Sequence, residues 1–398
     1  MLLLCFAGLL LIAALVSNRA DRTILSTSVL FLVGGIVLGS GALGVIDITP
    51  EDPTVGLLAE LALFAVLFTD GMKAGWSDLK SAWKLPGRAL ILGLPLTLIL
   101  TALLAHYLIG LDWATSFLVG AILSPTDPVF ASALVGNEKV PERLRRLLNV
   151  ESGVNDGLAL PFVIILLSVA ERSTDVHFTE VLVELGLGIA IGIVVPLVAL
   201  ALERLPFFQA SHHYEPLTAL AIGLLVLALG QVTHGNLFLA AFAAGITVAS
   251  IGPDQRKSFE QFGELVSELL KLAALLVFGA LITITVIADN GWLGVAFAVL
   301  ALLLPRSIAL ALSFLGSGLS AKEQVAAAWF GPKGFASVVY ALYVLTSGLD
   351  NGTQVFDLIA GTVVLSILLH SSTDVVVARW FDDEWEVPHW YGRLRNGQ

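Results

Sequence analysis

Charge is what this chain has least of. Only 13% of its 398 residues are Asp, Glu, Lys or Arg, while 57% are hydrophobic; a soluble domain carries about a quarter charged residues. With a mean hydropathy of +0.90, the chain is an integral membrane protein on composition alone. Cysteine is nearly absent as well. Cys5, inside the first apolar run, is the sole one, which excludes a disulfide framework and any Cys-based metal site. The first segment, LLLCFAGLLLIAALVS, has no basic stretch before it and no small-residue cleavage pattern after it, so it reads as a retained spanning helix rather than a removed signal. No stretch has the composition of a soluble domain.

What is present is a series of apolar runs. Allowing about 17–25 residues per spanning helix, thirteen spans fit, at roughly 2–17, 24–40, 55–70, 89–109, 115–135, 146–170, 181–202, 216–233, 236–251, 264–288, 292–317, 323–346 and 354–379. The net charge of −11 matters less than where the cations fall. Seventeen of the 21 Lys and Arg residues, among them Arg19, Arg88, Arg143, Arg256 and Lys322, lie in loops on one side; Arg172 stands alone on the other. The sparsely basic side carries Asp47, Asp112, Asp175, Asp289 and Asp350. A wrong helix count would scramble that asymmetry, so the positive-inside rule supports thirteen spans with the N-terminus outside and the C-terminus in the cytoplasm. The tail 381–398, with its Trp residues, reads as a short interfacial end.

Charges inside spans are costly and mark ion pathways. Here they cluster: Asp127 in span 5, Glu151 and Asp156 in span 6, Arg306 in span 11 and Lys333 in span 12. Around Asp127 the sequence is SPTDPV, where Pro125 and Pro128 remove backbone donors and turn the preceding residues away from helical dihedrals. A backbone break at that depth survives only where it faces protein or water. Span 12 has a second break, FGPKGFAS, and the two are seven spans apart, an odd offset that gives the halves opposite orientation. Paired interruptions in inverted repeats point to a transporter's binding site. Asp127 and Lys333 carry the charges that half-helix ends need, negative for an N-terminus and positive for a C-terminus. In span 6, NVESGVNDG, Ser152 and Asp156 share one helix face, and Glu151 and Asn155 the neighbouring one. Asp156, Ser152 and a free carbonyl of Thr126 supply oxygens suited to Na+. Glu151 then needs a counter-charge, and Arg306 is its natural buried partner; Glu151 as a proton carrier is the alternative. Glu268 and Lys271, three apart, read as a local pair. The histidines, among them His106, His212, His213, His234 and His370, read as interfacial. Glu60 and Asp374 are left without a role.

Taken together, SPTDPV, ESGVNDG about 25 residues later, the LFTDG ending span 3, the buried Arg306 and the GPKG of span 12 resemble the monovalent cation/proton antiporters, in their NhaP-like or NHE-like branch. The resemblance runs over nearly the whole chain. It implies an all-α polytopic fold of the NhaA-like antiporter type, with inverted repeats and two broken helices that cross. Residues 1–88 and 181–290 would form a dimer-interface panel; 89–180 and 291–380 would form the transporting core. Asp156 would bind cation or proton, with Ser152 and the Thr126 carbonyl as further ligands and Asp127 at the crossing. Glu151, Asn155, Arg306 and Lys333 would support span 6 and the breaks, and Asp70 would line the cytoplasmic funnel. Asn155 before Asp156 implies electroneutral exchange of one cation for one proton. Lys333 departs from the Arg common in this branch but keeps its charge. The expectation is a homodimeric Na+/H+ antiporter of the cell membrane, prokaryotic because no long cytoplasmic tail follows, with K+ as the alternative cargo. It needs no cofactor, binds no nucleic acid and is not an enzyme. An intramembrane protease fails for want of a G-D or H-E-x-x-H motif, and a channel differs in lacking coupled, saturable flux.

Overall fold

In hydrocarbon a backbone must satisfy its own polar groups, and a helix does so within one segment. The computed structural model describes residues 1–20, 27–73, 84–127, 139–171, 178–207, 211, 214–283 and 290–381. Among them the regular elements are all helical. They are α1 (Leu2–Ala20), α2 (Thr27–Leu38), α3 (Pro53–Lys73), α4 (Leu85–Ile109), α5 (Trp113–Ile122), α6 (Glu142–Ala170) and α7 (Phe178–Glu203). There follow α8 (Glu215–Thr233), α9 (Leu237–Ile251), α10 (Pro253–Leu281), α11 (Gly291–Ser313), α12 (Ala321–Trp329), α13 (Phe335–Thr346) and α14 (Gly352–Ala378). Seven of the described helices are long and apolar enough to cross a bilayer in one piece. Each of the thirteen predicted spans carries a helix, span 12 as the pair α12 and α13. Pro128, Arg172, Asp175, Asp289, His212, His213 and the tail after Phe381 lie outside the described residues, as do the side chains of Arg19 and Asp374.

Two boundaries differ from the sequence expectation. In the predicted span 5, α5 stops at Ile122, where Leu123 leaves helical geometry (φ −93°, ψ 2°), and residues 128–135 of that span lie outside the described residues. Span 10 was predicted to begin near 264, whereas α10 starts at Pro253. Its first turns, PDQRKSFEQFGE, are too polar to read as a span, yet Pro253 suits a first helical turn. Buried Phe259 docks edge-on to Phe68 of α3, with ring centroids 5.7 Å apart.

The helices pack in two sets. In one, α3 lies against α9 and α10, α2 against α10, and α7 and α8 against α9. In the other, α4 packs on α5 and α11, α5 on α6, and α14 on α11 and α13. The sets meet where α3 touches α6 and α13, α9 touches α6, and α10 touches α13. Without a hydrophobic drive between helices, contacts in lipid rely on small residues that let backbones approach. Gly71 and Gly245 face each other where α3 crosses α9, each against the other helix's backbone. At the end bearing the basic loops, Arg143 of α6 makes a forked pair with buried Glu323 at the start of α12. Glu323 also closes a capping box with Ser320, so one carboxylate starts α12 and ties it to α6.

A Cβ at Gly245 would run into the Phe68 carbonyl. Gly245→Val therefore forces α3 and α9 apart, and overpacking of this kind costs about 1–3 kcal/mol. A fall in melting temperature of the purified protein in detergent is expected. Gly56→Ala, on α3 where a methyl meets no described heavy atom within 4 Å, should not lower it.

Candidate functional site

The two predicted breaks cross and cap one another. Beyond the last helical bonds, which Leu123 and Phe330 donate, residues 124–127 after α5 and residues 331–334 between α12 and α13 are not helical. The N–H of Asp127 donates to the Pro332 carbonyl at 3.0 Å, joining the two extended stretches. Asp127 Oδ2 accepts from the backbone N–H of Phe335 at 3.2 Å, so the carboxylate caps the N-terminus of α13, where the macrodipole favours negative charge. In return Ser337 of α13 donates its hydroxyl to the Ile122 carbonyl at 2.7 Å, satisfying the last turn of α5. Gly334 is required at the contact, because a Cβ there would overlap the Asp127 side chain.

The carboxyl end of α12 was expected to be compensated by Lys333. Arg306 does that instead. It forms a fork with Glu151, Nη1 to Oε1 at 2.6 Å and Nη2 to Oε2 at 3.0 Å. It also donates to the carbonyls of Ala327 (3.1 Å) and Phe330 (3.4 Å), which α12 leaves unpaired. A fixed guanidinium fork serves two acceptor groups at once, which a Lys ammonium does less well. Gly331 leaves room for the Arg306 side chain. Lys333, 2% exposed, makes no side-chain hydrogen bond to a described residue, and its backbone N–H donates to Ser366 Oγ at 2.7 Å.

α6 brings the remaining groups. Asn155 was expected in the Glu151–Arg306 network, but its Nδ2 reaches Thr126 Oγ1 at 2.7 Å. The Thr126 carbonyl, expected free, meets the same nitrogen at a long 3.4 Å. Asn155 thereby fastens α6 to the first break rather than to α12. Thr126 Oγ1 also lies 3.2 Å from Ser152 Oγ. Asp156, one turn on from Ser152, is 7% exposed; its backbone carbonyl accepts from Tyr340 Oη at 3.0 Å, and its carboxylate takes no hydrogen bond from a described residue. Asp70, half-buried in the last turn of α3, and Asp127 are its electrostatic neighbours.

Two residues escaped the sequence reading. The sequence pairs Lys271 with Glu268, three residues away, and that contact exists at 3.8 Å. Its Nζ is equally 3.8 Å from Asp127 Oδ2, and it interacts electrostatically with Asp70 and Asp156. A buried Lys three residues from a Glu looks self-sufficient in one dimension; only the crossing of helices brings Asp127 to it. His370 was read as interfacial but is 2% exposed. Its ring lies 2.9 Å from the Trp329 carbonyl and 2.7 Å from the Ser366 carbonyl, beneath the second break. Glu60 accepts from Gln231 of α8 at 2.9 Å.

Losing Glu151 strands a buried guanidinium, a loss of about 3–5 kcal/mol. Glu151→Leu should therefore unfold at markedly lower temperature or denaturant. Glu151→Leu with Arg306→Met removes both charges, yet should recover only part of the stability, because the Ala327 and Phe330 carbonyls lose their donor. Full recovery in thermal unfolding would mean that Arg306 serves only Glu151.

Comparison with known proteins agrees with the fold. Residues 7–380 match the family described as sodium/hydrogen exchanger, transmembrane. The K(+)/H(+) antiporter NhaP of Alkalimonas amylolytica is 28% identical over 385 residues, 95% of this chain and 65% of its own. The Na(+)/H(+) antiporter ApNhaP of Aphanothece halophytica is 26% identical over 373 residues, 87% of this chain and 68% of its own. This chain thus spans about two thirds of the length of such relatives. The structure of the sodium proton antiporter MjNhaP1 from Methanocaldococcus jannaschii at pH 8 superposes with a TM-score of 0.77 at 20% identity, covering 96% of this chain and 100% of that one.

Proposed function

The chain belongs to the transmembrane sodium/hydrogen exchanger family, and from that premise we propose that it exchanges Na+ for H+ across the cell membrane, one for one, by alternating access. The observation that carries this reading is Asp156. Its carboxylate is buried and takes no hydrogen bond from a described residue, while the hydroxyl of Ser152, one turn earlier on α6, meets that of Thr126. A bare carboxylate so placed is costly, and a proton or a hard cation relieves it equally in charge. Oxygen ligands of hydroxyl, carbonyl and carboxylate type suit such a cation. The two cargoes therefore compete for one group, which is what couples their fluxes.

Asn155 supplies a neutral amide where a second carboxylate would carry a second charge, which supports an electroneutral cycle. Asp127 is committed to α13 and to Lys271, so it is a fixed part of the site. Asp70 stands on the approach to Asp156 from the side of the basic loops, here read as cytoplasmic. The set containing α4–α6 and α11–α14 is the moving core, and α1–α3 with α7–α10 form the panel against which it moves and on which two copies associate. K+ is the rival cargo, because the Alkalimonas relative is named for K+ and the Aphanothece relative for Na+.

Purified protein in liposomes containing a pH dye tests the proposal. Addition of Na+ should move protons against it, saturably and without generating a membrane potential. A response to K+ in place of Na+ would transfer the cargo and leave the mechanism intact. Asp156→Asn should fold and lose exchange by at least two orders of magnitude, since no titratable ligand remains. Robust cation-driven proton movement by Asp156→Asn would overturn the assignment.

A further inference from the structure

Antiport demands that the carrier not cross empty. The ion site as described explains why cation and proton exclude one another, but not what holds the core still when neither is aboard. Lys271 bears on that. It is 6% exposed and sits on α10, in the panel set, while Asp127, which it contacts, and Asp156, which it interacts with electrostatically, belong to the core set; Asp70 of α3, in the panel set, also acts on it. The Lys271–Asp127 contact at 3.8 Å is thus an ion pair between the two sets that must separate when the core moves. The same ammonium is 3.8 Å from Glu268 on its own helix, and Glu268 is 40% exposed in its side chain.

We propose that Lys271 is a positioning residue that locks the empty core: its ammonium holds the unloaded, doubly anionic site, and loading at Asp156 weakens that hold. The inference rests on the antiport reading of the site. With Asp127 and Asp156 both bare, attraction to Lys271 is greatest. A proton on Asp156 removes one of the two negative charges. A bound cation removes it and also repels the ammonium. Either cargo therefore loosens the same contact, so one lock serves both half-cycles. When the core leaves, Glu268 retains Lys271 within reach, so the ammonium is not stranded without a counter-charge, which in a buried position would be prohibitive. Glu268 thereby acts as the resting partner, and a local pair on the surface of one helix becomes half of a switch between two.

Lys271→Gln keeps the length and polarity and removes the charge; Lys271→Arg keeps the charge. In proteoliposomes, cation-for-cation exchange by Lys271→Gln should persist, while net cation efflux with no counter-ion to return should rise about fivefold or more, the low end of coupling between linked states. Lys271→Arg should remain as tight as the wild type. Lys271→Met, uncharged and close in shape, is read in the same way should the Gln variant fail to fold. Normal exchange with wild-type tightness in the uncharged variants overturns the lock while leaving the antiport reading standing. An equally leaky Lys271→Arg also overturns it, since the fit rather than the charge would then be decisive. No exchange by the wild type with any alkali cation removes the antiport reading and the lock with it.

Discussion

Two helices interrupted in the middle of a membrane are a problem before they are a binding site, because each break frees backbone groups that hydrocarbon cannot solvate. Here the breaks solve each other. Asp127 of the first caps the α13 N-terminus beyond the second, Ser337 of α13 caps the end of α5, and the Asp127 amide bonds to Pro332 where the chains cross. Arg306, anchored by Glu151, covers the carbonyl end of α12. Every other feature of the site depends on this exchange of caps. It spends Asp127 and Arg306 on structure and leaves the Asp156 carboxylate at the site without a donor among the described residues.

That division of labour accounts for the residue types. Asp127 faces a helix N-terminus and Lys271. Glu151 needs a guanidinium with several donors, because its partner also serves Ala327 and Phe330. Asp156 needs the opposite: hydroxyl oxygens nearby, backbone tethering through Tyr340 and no committed cation. Three carboxylates within one bundle thus differ by what donates to them rather than by their own chemistry.

Much of this was legible in the sequence, and what was not has a common cause. The spans follow from hydrophobic run length, which is local, and the break at SPTDPV follows from proline stereochemistry, which is local too. The Glu151–Arg306 pair could be inferred because two buried opposite charges in an apolar chain have few alternatives. Three contacts are not legible because they depend on which side chain meets which across the crossing. Lys333 and Arg306 are both cations near the carbonyl end of α12, and nothing in one dimension says which reaches it. Asn155 shares a helix face with Glu151, yet its amide turns to Thr126. Lys271 has a satisfactory neighbour three residues away, which hides its contact with a residue far along the chain. The polar first turns of α10 were read as loop because a helix that extends beyond the membrane has no apolar signature there.

The central claim is that one carboxylate, Asp156, exchanges a proton for a cation. The most direct measurement is proton release by detergent-solubilised protein in weakly buffered solution when Na+ or K+ is added. Saturable release is predicted, reversed by lowering the pH and absent from Asp156→Asn. Saturable cation binding with no proton released, or release undiminished in Asp156→Asn, would contradict it.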